Sequence, residues 1–209
     1  MMKLIHHIQF SSVLEVGCGN GMNLFVLDKL RHGIELAGMD VSRTALLELQ
    51  NILPHIKSYQ MDITKEYLPQ KFDLVICFDV LEHINDDVSA LTNISRMTGT
   101  YLLLSTLQGK MREFERYIGH VRNYKLDDLK QKIISSGFKL ITTIQWGWPF
   151  YSPLYRNILE HLGVQRHTEG EYGFLKRAVC ILLYKLFSIN SHNRGDMVFI
   201  LAKKNEEIE

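Results

Sequence analysis

The 209 residues suffice for one sizeable α/β core and a small appended subdomain, and a hydrophobic content of 46% excludes a wholly disordered chain. Twenty-four Lys and Arg stand against 23 Asp and Glu, a balance that argues against a protein held to nucleic acid mainly through phosphates. Three widely spaced cysteines, Cys18, Cys77 and Cys180, form neither a disulfide framework nor a zinc pattern, so no metal site is expected. Met1–Phe10 lacks a signal-like apolar core, and no apolar run approaches the roughly 20 residues of a spanning helix. The expected location is the cytoplasm.

Ser12–Val16 reads as a strand ending in a glycine cluster. Met22–Leu30 reads as the following helix, with Val26, Leu27 and Leu30 on one face. Glu35–Met39 is a second strand closing on Asp40. Ser42 caps a helix in which Ala45, Leu49, Ile52 and Leu53 fall at helical spacing, and Pro54 stops it. Lys57–Met61 is a weak third strand before Asp62. Phe72–Phe78 is apolar except for Asp73, the pattern of a strand buried on both faces of a parallel sheet. Asp86 or Asp87 caps a helix carrying Val88, Leu91 and Ile94, and Tyr101–Leu104 is a fifth strand. Leu126, Leu129, Ile133 and Ile134 form another helical stripe, with Gly137 where a C-terminal cap belongs. Phe138–Ile144 and Met197–Ala202 are two late strands. Strands alternating with amphipathic helices imply a doubly wound α/β sheet.

Between the last two strands the alternation breaks. Residues 146–195 form a helical, aromatic-rich insertion, separate from a core of residues 1–145 and 196–209. Ser152 and Pro153 mark a helix start. Leu154, Ile158, Leu159 and Leu162 share a face, Gly163 ends that helix, and a polar linker follows. Phe174–Phe187 is apolar on nearly every side, with only Lys176, Arg177 and Lys185 charged, so it is expected to be buried somewhere. Three occupations are open: packing or a homodimer contact, a cover over an acceptor site, and a membrane surface.

The chemistry is concentrated after the strands. Gly17, Gly19 and Gly21 let the backbone bend sharply and let a ligand approach the main chain. The dinucleotide fingerprint would need its third glycine at position 22, which is Met22. Asp40, about 20 positions further on, suits ribose hydroxyls, or equally the dipole of the next helix. Asp62 can be a ligand contact or a turn residue. Cys18 and Cys77 lack the basic, exposed setting of a reactive thiolate and are expected in the core.

The segments Val13–Gly21, Asp40, Gln60–Ile63 and Phe72–Ile84, in this order and each after an expected strand, resemble the class I S-adenosylmethionine-dependent methyltransferases. They are most similar to a small-molecule group that includes ubiquinone-biosynthesis O-methyltransferases. Gly119–Tyr124 ahead of a leucine-rich helix fits the same group, with Lys125 departing from its usual Ser or Thr. The resemblance implies a Rossmann-like, mostly parallel seven-stranded sheet with an antiparallel last strand. It also implies S-adenosyl-L-methionine as cofactor, contacted by Glu15, Gly17, Cys18, Gly19, Gly21, Asp40, Val41, Asp62, Ile63, Phe78 and Asp79. Asp62 and Ile63 would meet the adenine, and Phe78 and Asp79 the methionine portion.

A sulfonium methyl is already activated, so the protein mainly aligns the reactants and excludes water. If the acceptor carries a proton, His83 is the first candidate base, the alternative being a structural hydrogen bond. His120 is the second candidate. With Arg122 and Tyr124 it is expected to line or brace the pocket of a small, lipophilic or aromatic acceptor. The competing readings are a non-catalytic cofactor-binding subunit, a nicotinamide-dependent oxidoreductase, and a methyltransferase acting on RNA or protein.

Overall fold

The computed structural model describes residues 2–162 and 173–206. The elements are α1 (Met2–Ile5), β1 (Ser12–Val16), α2 (Met22–Leu30), β2 (Glu35–Asp40), α3 (Arg43–Ile52), β3 (Lys57–Gln60) and β4 (Phe72–Phe78). A 3-10 turn at Leu81–His83 leads to α4 (Asp87–Met97), β5 (Thr98–Leu107), α5 (Glu113–Tyr117), α6 (Leu126–Ser135) and β6 (Phe138–Trp146). A wide helical turn at Phe150–Tyr155 runs into α7 (Arg156–Leu162), and α8 (Phe174–Ser188) precedes β7 (Met197–Lys204). The expected helix stop at Gly163 and the linker after it lie outside the described residues.

The strands form one seven-stranded sheet in the order β3-β2-β1-β4-β5-β7-β6. The pairs from β3 through β5 are parallel, whereas β7 runs antiparallel to both β5 and β6. β6 therefore points the same way as β1–β5. The ends of β1, β2, β3, β4, β5 and β6 line one carboxyl edge, where open α/β sheets bind ligands.

Alternation along the strands supplies two cores. Val13, Leu74 and Ile76 face one side with Leu24 and Leu27 of α2 and Leu46 and Leu49 of α3. Leu14, Val75 and Cys77 face the other with Leu91 and Ile94 of α4 and Leu129 and Ile133 of α6. Three helical faces are rotated from the expected ones. Leu24 and Leu27 are the buried residues of α2, while Val26 and Leu30 are exposed. In α3, Leu46 takes the place expected for Ile52, which is exposed, and in α4 Val88 is exposed. Each error has one cause: an apolar residue one position off the buried stripe looks identical in sequence, and only the crossing of helix over sheet selects the stripe.

The caps follow the expectation. Ser42 Oγ accepts from the Ala45 N–H at 3.2 Å, and Asp86 Oδ1 from the Ser89 N–H at 3.0 Å. Gly137 takes a positive φ of 91° just past α6. Cys18 and Cys77 are buried as expected, and their surroundings push the thiol of Cys18 up to about 12.

The insertion differs most from its expectation. α8 is not buried within the chain. Phe174 is 88% exposed and Tyr184 76%, with Val179, Ile181 and Leu182 also exposed. α8 is tied to the rest through Phe187, whose ring meets Trp146, Tyr151 and Tyr155 edge-on. At 15 residues α8 is too short to span a bilayer, and no helix among the described residues is long and apolar enough to do so.

Candidate functional site

The turn after β1 is held by two amides, Gly17 N–H and Cys18 N–H, both donating to Met39 O at 2.7 and 3.0 Å. Gly17 has φ 69°, and a Cβ there would overlap Val80 Cγ2. Gly19 has φ 53°, but nothing lies within 4 Å of where its Cβ would be. A left-handed residue facing open space at a strand end is a backbone surface offered to a ligand. Gly21 starts α2 without a side-chain cap.

Glu15 lies beneath this turn, 2% exposed. Its Oε1 accepts from Asn23 Nδ2 at 2.7 Å, and its Oε2 has no hydrogen-bond partner among the described residues. Burial, against the relief given by Asn23 and the Leu24 amide, pushes its carboxyl up to about 7. A buried carboxylate with one idle oxygen beside an open glycine fits a cationic ligand group.

Asp40 ends β2 and binds the turn to the next helix. Its Oδ2 accepts from Gly19 N–H at 2.9 Å and its Oδ1 from Ser42 N–H at 2.8 Å. Each oxygen retains a lone pair for a hydroxyl. Val41 beside it is 62% exposed. Asp62 is engaged as a turn residue. Its Oδ1 takes Thr64 N–H and Oγ1, its Oδ2 meets Lys65 Nζ at 2.8 Å, and these partners hold its carboxyl down at about 2. Ile63 is buried, and its carbonyl accepts from Asn93 Nδ2.

Phe78 closes β4 with its ring 6.2 Å from that of Phe199. Asp79 follows in a left-handed conformation, φ 54°, the one positive φ outside glycine among the described residues. Such strain persists where surrounding structure enforces it. Asp79 is an exposed residue whose carboxyl is nevertheless crowded by protein atoms. Burial raises its pKa, while Ser105 Oγ at 2.9 Å and the nearby His120 and His83 oppose the rise.

His83 and His120 come together, ring centroids 4.5 Å apart at 78°. His83 is exposed. His120 is 8% exposed and its Nδ1 lacks a partner among the described residues. Burial and then His83 depress its pKa. Arg122 and Tyr124 do not join this pocket. Both reach away to Asp87 Oδ2 at the start of α4, at 2.7 Å each, and brace the loop after β4.

Several residues here carried no role in the sequence. Glu82, 1% exposed, accepts from Thr106 Oγ1 at 2.8 Å, and burial pushes its carboxyl up to about 7. A buried cluster joins Arg112, Glu115, Arg156 and Asp196, with Ser152 Oγ also on Asp196. Burial raises the phenol pKa of Tyr151 in the insertion. Only Glu115 had a local signal, three residues after Arg112, where its Oε2 accepts the Arg112 N–H. The others find their partners 24 positions or more away in the chain and meet only in the fold.

A strand, a glycine bend and a helix, with carboxylates at successive strand tips and an antiparallel seventh strand, give this chain the fold and site layout seen in class I S-adenosylmethionine-dependent methyltransferases. More particularly, residues 14–99 match the family described as "Methyltransferase domain". The Ubiquinone biosynthesis O-methyltransferase of Alkalilimnicola ehrlichii is 32% identical over 110 residues. That match covers 49% of this chain and 44% of the relative, so the chain spans less than half the length of the curated relative it matches. Among solved structures, a TehB-like SAM-dependent methyltransferase from Corynebacterium glutamicum superposes with a TM-score of 0.62 at 15% identity, covering 98% of this chain and 85% of that one. The [4+2]-cyclase SpnF superposes at 0.68 and 16% identity, covering 99% and 79%. At such identities the likeness is one of fold, and the reaction must be argued from the site.

Proposed function

We propose that the chain binds S-adenosyl-L-methionine at the carboxyl edge and transfers its methyl group to a small, lipophilic or aromatic acceptor. The observation that carries this reading is the idle Glu15 Oε2, buried under an open glycine turn. It matches the ammonium of the methionine portion. Gly17, Cys18, Gly19 and Gly21 give the main-chain surface, Asp40 and Val41 flank the ribose, Asp62 and Ile63 the adenine, and Phe78 and Asp79 the sulfur end. Asp62 serves the adenine through an oxygen it shares with its turn.

The bound cofactor supplies an activated methyl group, and the protein's part is alignment and exclusion of water. His83 and His120 handle the acceptor's proton from the adjoining loop. His120 is held against His83, and His83 gives it a route to solvent. The rings of Trp146, Tyr151, Tyr155 and Phe187 form an aromatic wall, which suits a flat or greasy acceptor. The printed name of the curated relative points the same way, toward transfer to oxygen.

Calorimetric titration with S-adenosylhomocysteine tests the cofactor half. Wild type binds, and Asp40→Ala and Gly19→Val each weaken binding at least tenfold. Undiminished affinity in both variants overturns the site assignment.

A further inference from the structure

The insertion and the histidine pair are joined by a chain of buried polar contacts that the proposed reaction does not by itself require. Arg156, on the first turn of α7, is 6% exposed and places its guanidinium against Glu115 Oε1 on one side and Asp196 Oδ2 on the other. Glu115, 4% exposed, uses its other oxygen for Arg112 N–H at 2.9 Å and Asn123 Nδ2 at 2.8 Å. The Glu115 carbonyl accepts the His120 N–H at 2.9 Å. Asn123 lies beside the His120 ring and bears on its ionisation. Asn123 Oδ1 and His120 Nδ1 are both buried, and neither has a hydrogen-bond partner among the described residues. An acceptor and a ring nitrogen on neighbouring side chains thus stand ready for each other.

We infer that Arg156 is a positioning residue for His120, holding through Glu115 and Asn123 the backbone and the ring of that histidine against His83 at the mouth of the site. This rests on the reading of His83 and His120 as the proton-handling pair. In it the insertion does more than wall the acceptor. It supplies the buried cation that keeps Glu115 satisfied and so decides how much of that carboxylate's charge His120 feels. The charged groups facing His120 are few and named: His83 from the turn after β4, Asp79 from the end of β4, and Glu115 from α5. Arg112 and Arg156 act on it through Glu115. Removing Arg156 leaves Glu115 uncompensated and favours the imidazolium. Removing the Glu115 charge does the opposite. A purely structural pin would loosen the pocket in both cases and move His120 one way only, toward its exposed behaviour.

The test uses the full chain with labelled histidine, following His83 and His120 by NMR titration. Arg156→Met raises the His120 midpoint by about half a pH unit or more, Arg156→Lys restores it, and Glu115→Gln lowers it. Should Arg156→Met not fold, Glu115→Gln and Arg156→Lys carry the comparison alone. An unmoved His120 in the variants that fold, or a shift of one sign in Arg156→Met and Glu115→Gln alike, overturns the inference. S-adenosylhomocysteine affinity is measured alongside and stays within twofold of wild type in all three. If wild type itself fails to bind that ligand, the functional reading has failed, whichever way His120 moves.

Discussion

Glu15 joins a core position to a proposed ligand contact, two roles that sequence alone keeps apart. Its carboxyl ionises near 4.5 when exposed and at about 7 in the folded chain. Below pH 4.5 both states are protonated and burial is harmless. As pH rises from there toward 7 the unfolded state ionises first, so stability is lost across that window. A cationic ligand reverses the preference, because only the carboxylate pairs with it. S-adenosylhomocysteine affinity therefore falls up to about tenfold per pH unit below 7, and Glu15→Gln flattens the profile, both readable by calorimetry from pH 5.5 to 8. The glycines divide similarly. Gly17→Ala meets Val80 as well as an unfavourable φ and costs roughly 2–4 kcal/mol in denaturant unfolding. Glycine spacing and both strand-tip aspartates were readable from residues alone. Glu82 and Arg156 were not, since a buried charge is recognisable only once its distant partner is known, and Glu115 showed only its local pairing with Arg112.

At the level of elements, all seven strands were legible, because a parallel sheet covered on both faces writes itself as apolar runs. The helix faces were less so, as α2 and α3 demonstrate. α8 was the least legible. Its composition argues for burial, yet the chain leaves it exposed along most of its length and anchored through Phe187. Few buried contacts mean cheap local opening. Amide hydrogen exchange should show α8 opening orders of magnitude more readily than α4, whose Ala90, Leu91, Ile94 and Met97 are fully buried. Equal protection in the isolated chain would mean that α8 is covered after all, by another copy or another surface.

Across the whole molecule, the proposed seat for the cofactor and the proposed wall for the acceptor come from different stretches of chain. β1 through β4 supply the first; the loop before α6 and the β6–β7 connection supply the second. Ligand binding to the native state alone raises the melting temperature, by about 2.7 kcal/mol of stabilisation at a hundredfold excess over the dissociation constant. S-adenosylhomocysteine should do so and NAD should not, since Met22 stands where a dinucleotide site needs glycine. A shift with NAD alone would return the chain to the oxidoreductases. One feature of the sheet reaches further. β6 and β7 are partners in a single antiparallel pair, closed at its open end by Trp148 N–H to Arg194 O and Ser191 N–H to Trp148 O. Everything between those rungs can lengthen, shorten or change composition while the two strands stay zipped at the base. A lineage could thus retool what it accepts by rewriting one excursion, without disturbing the nucleoside half that every such change would still need.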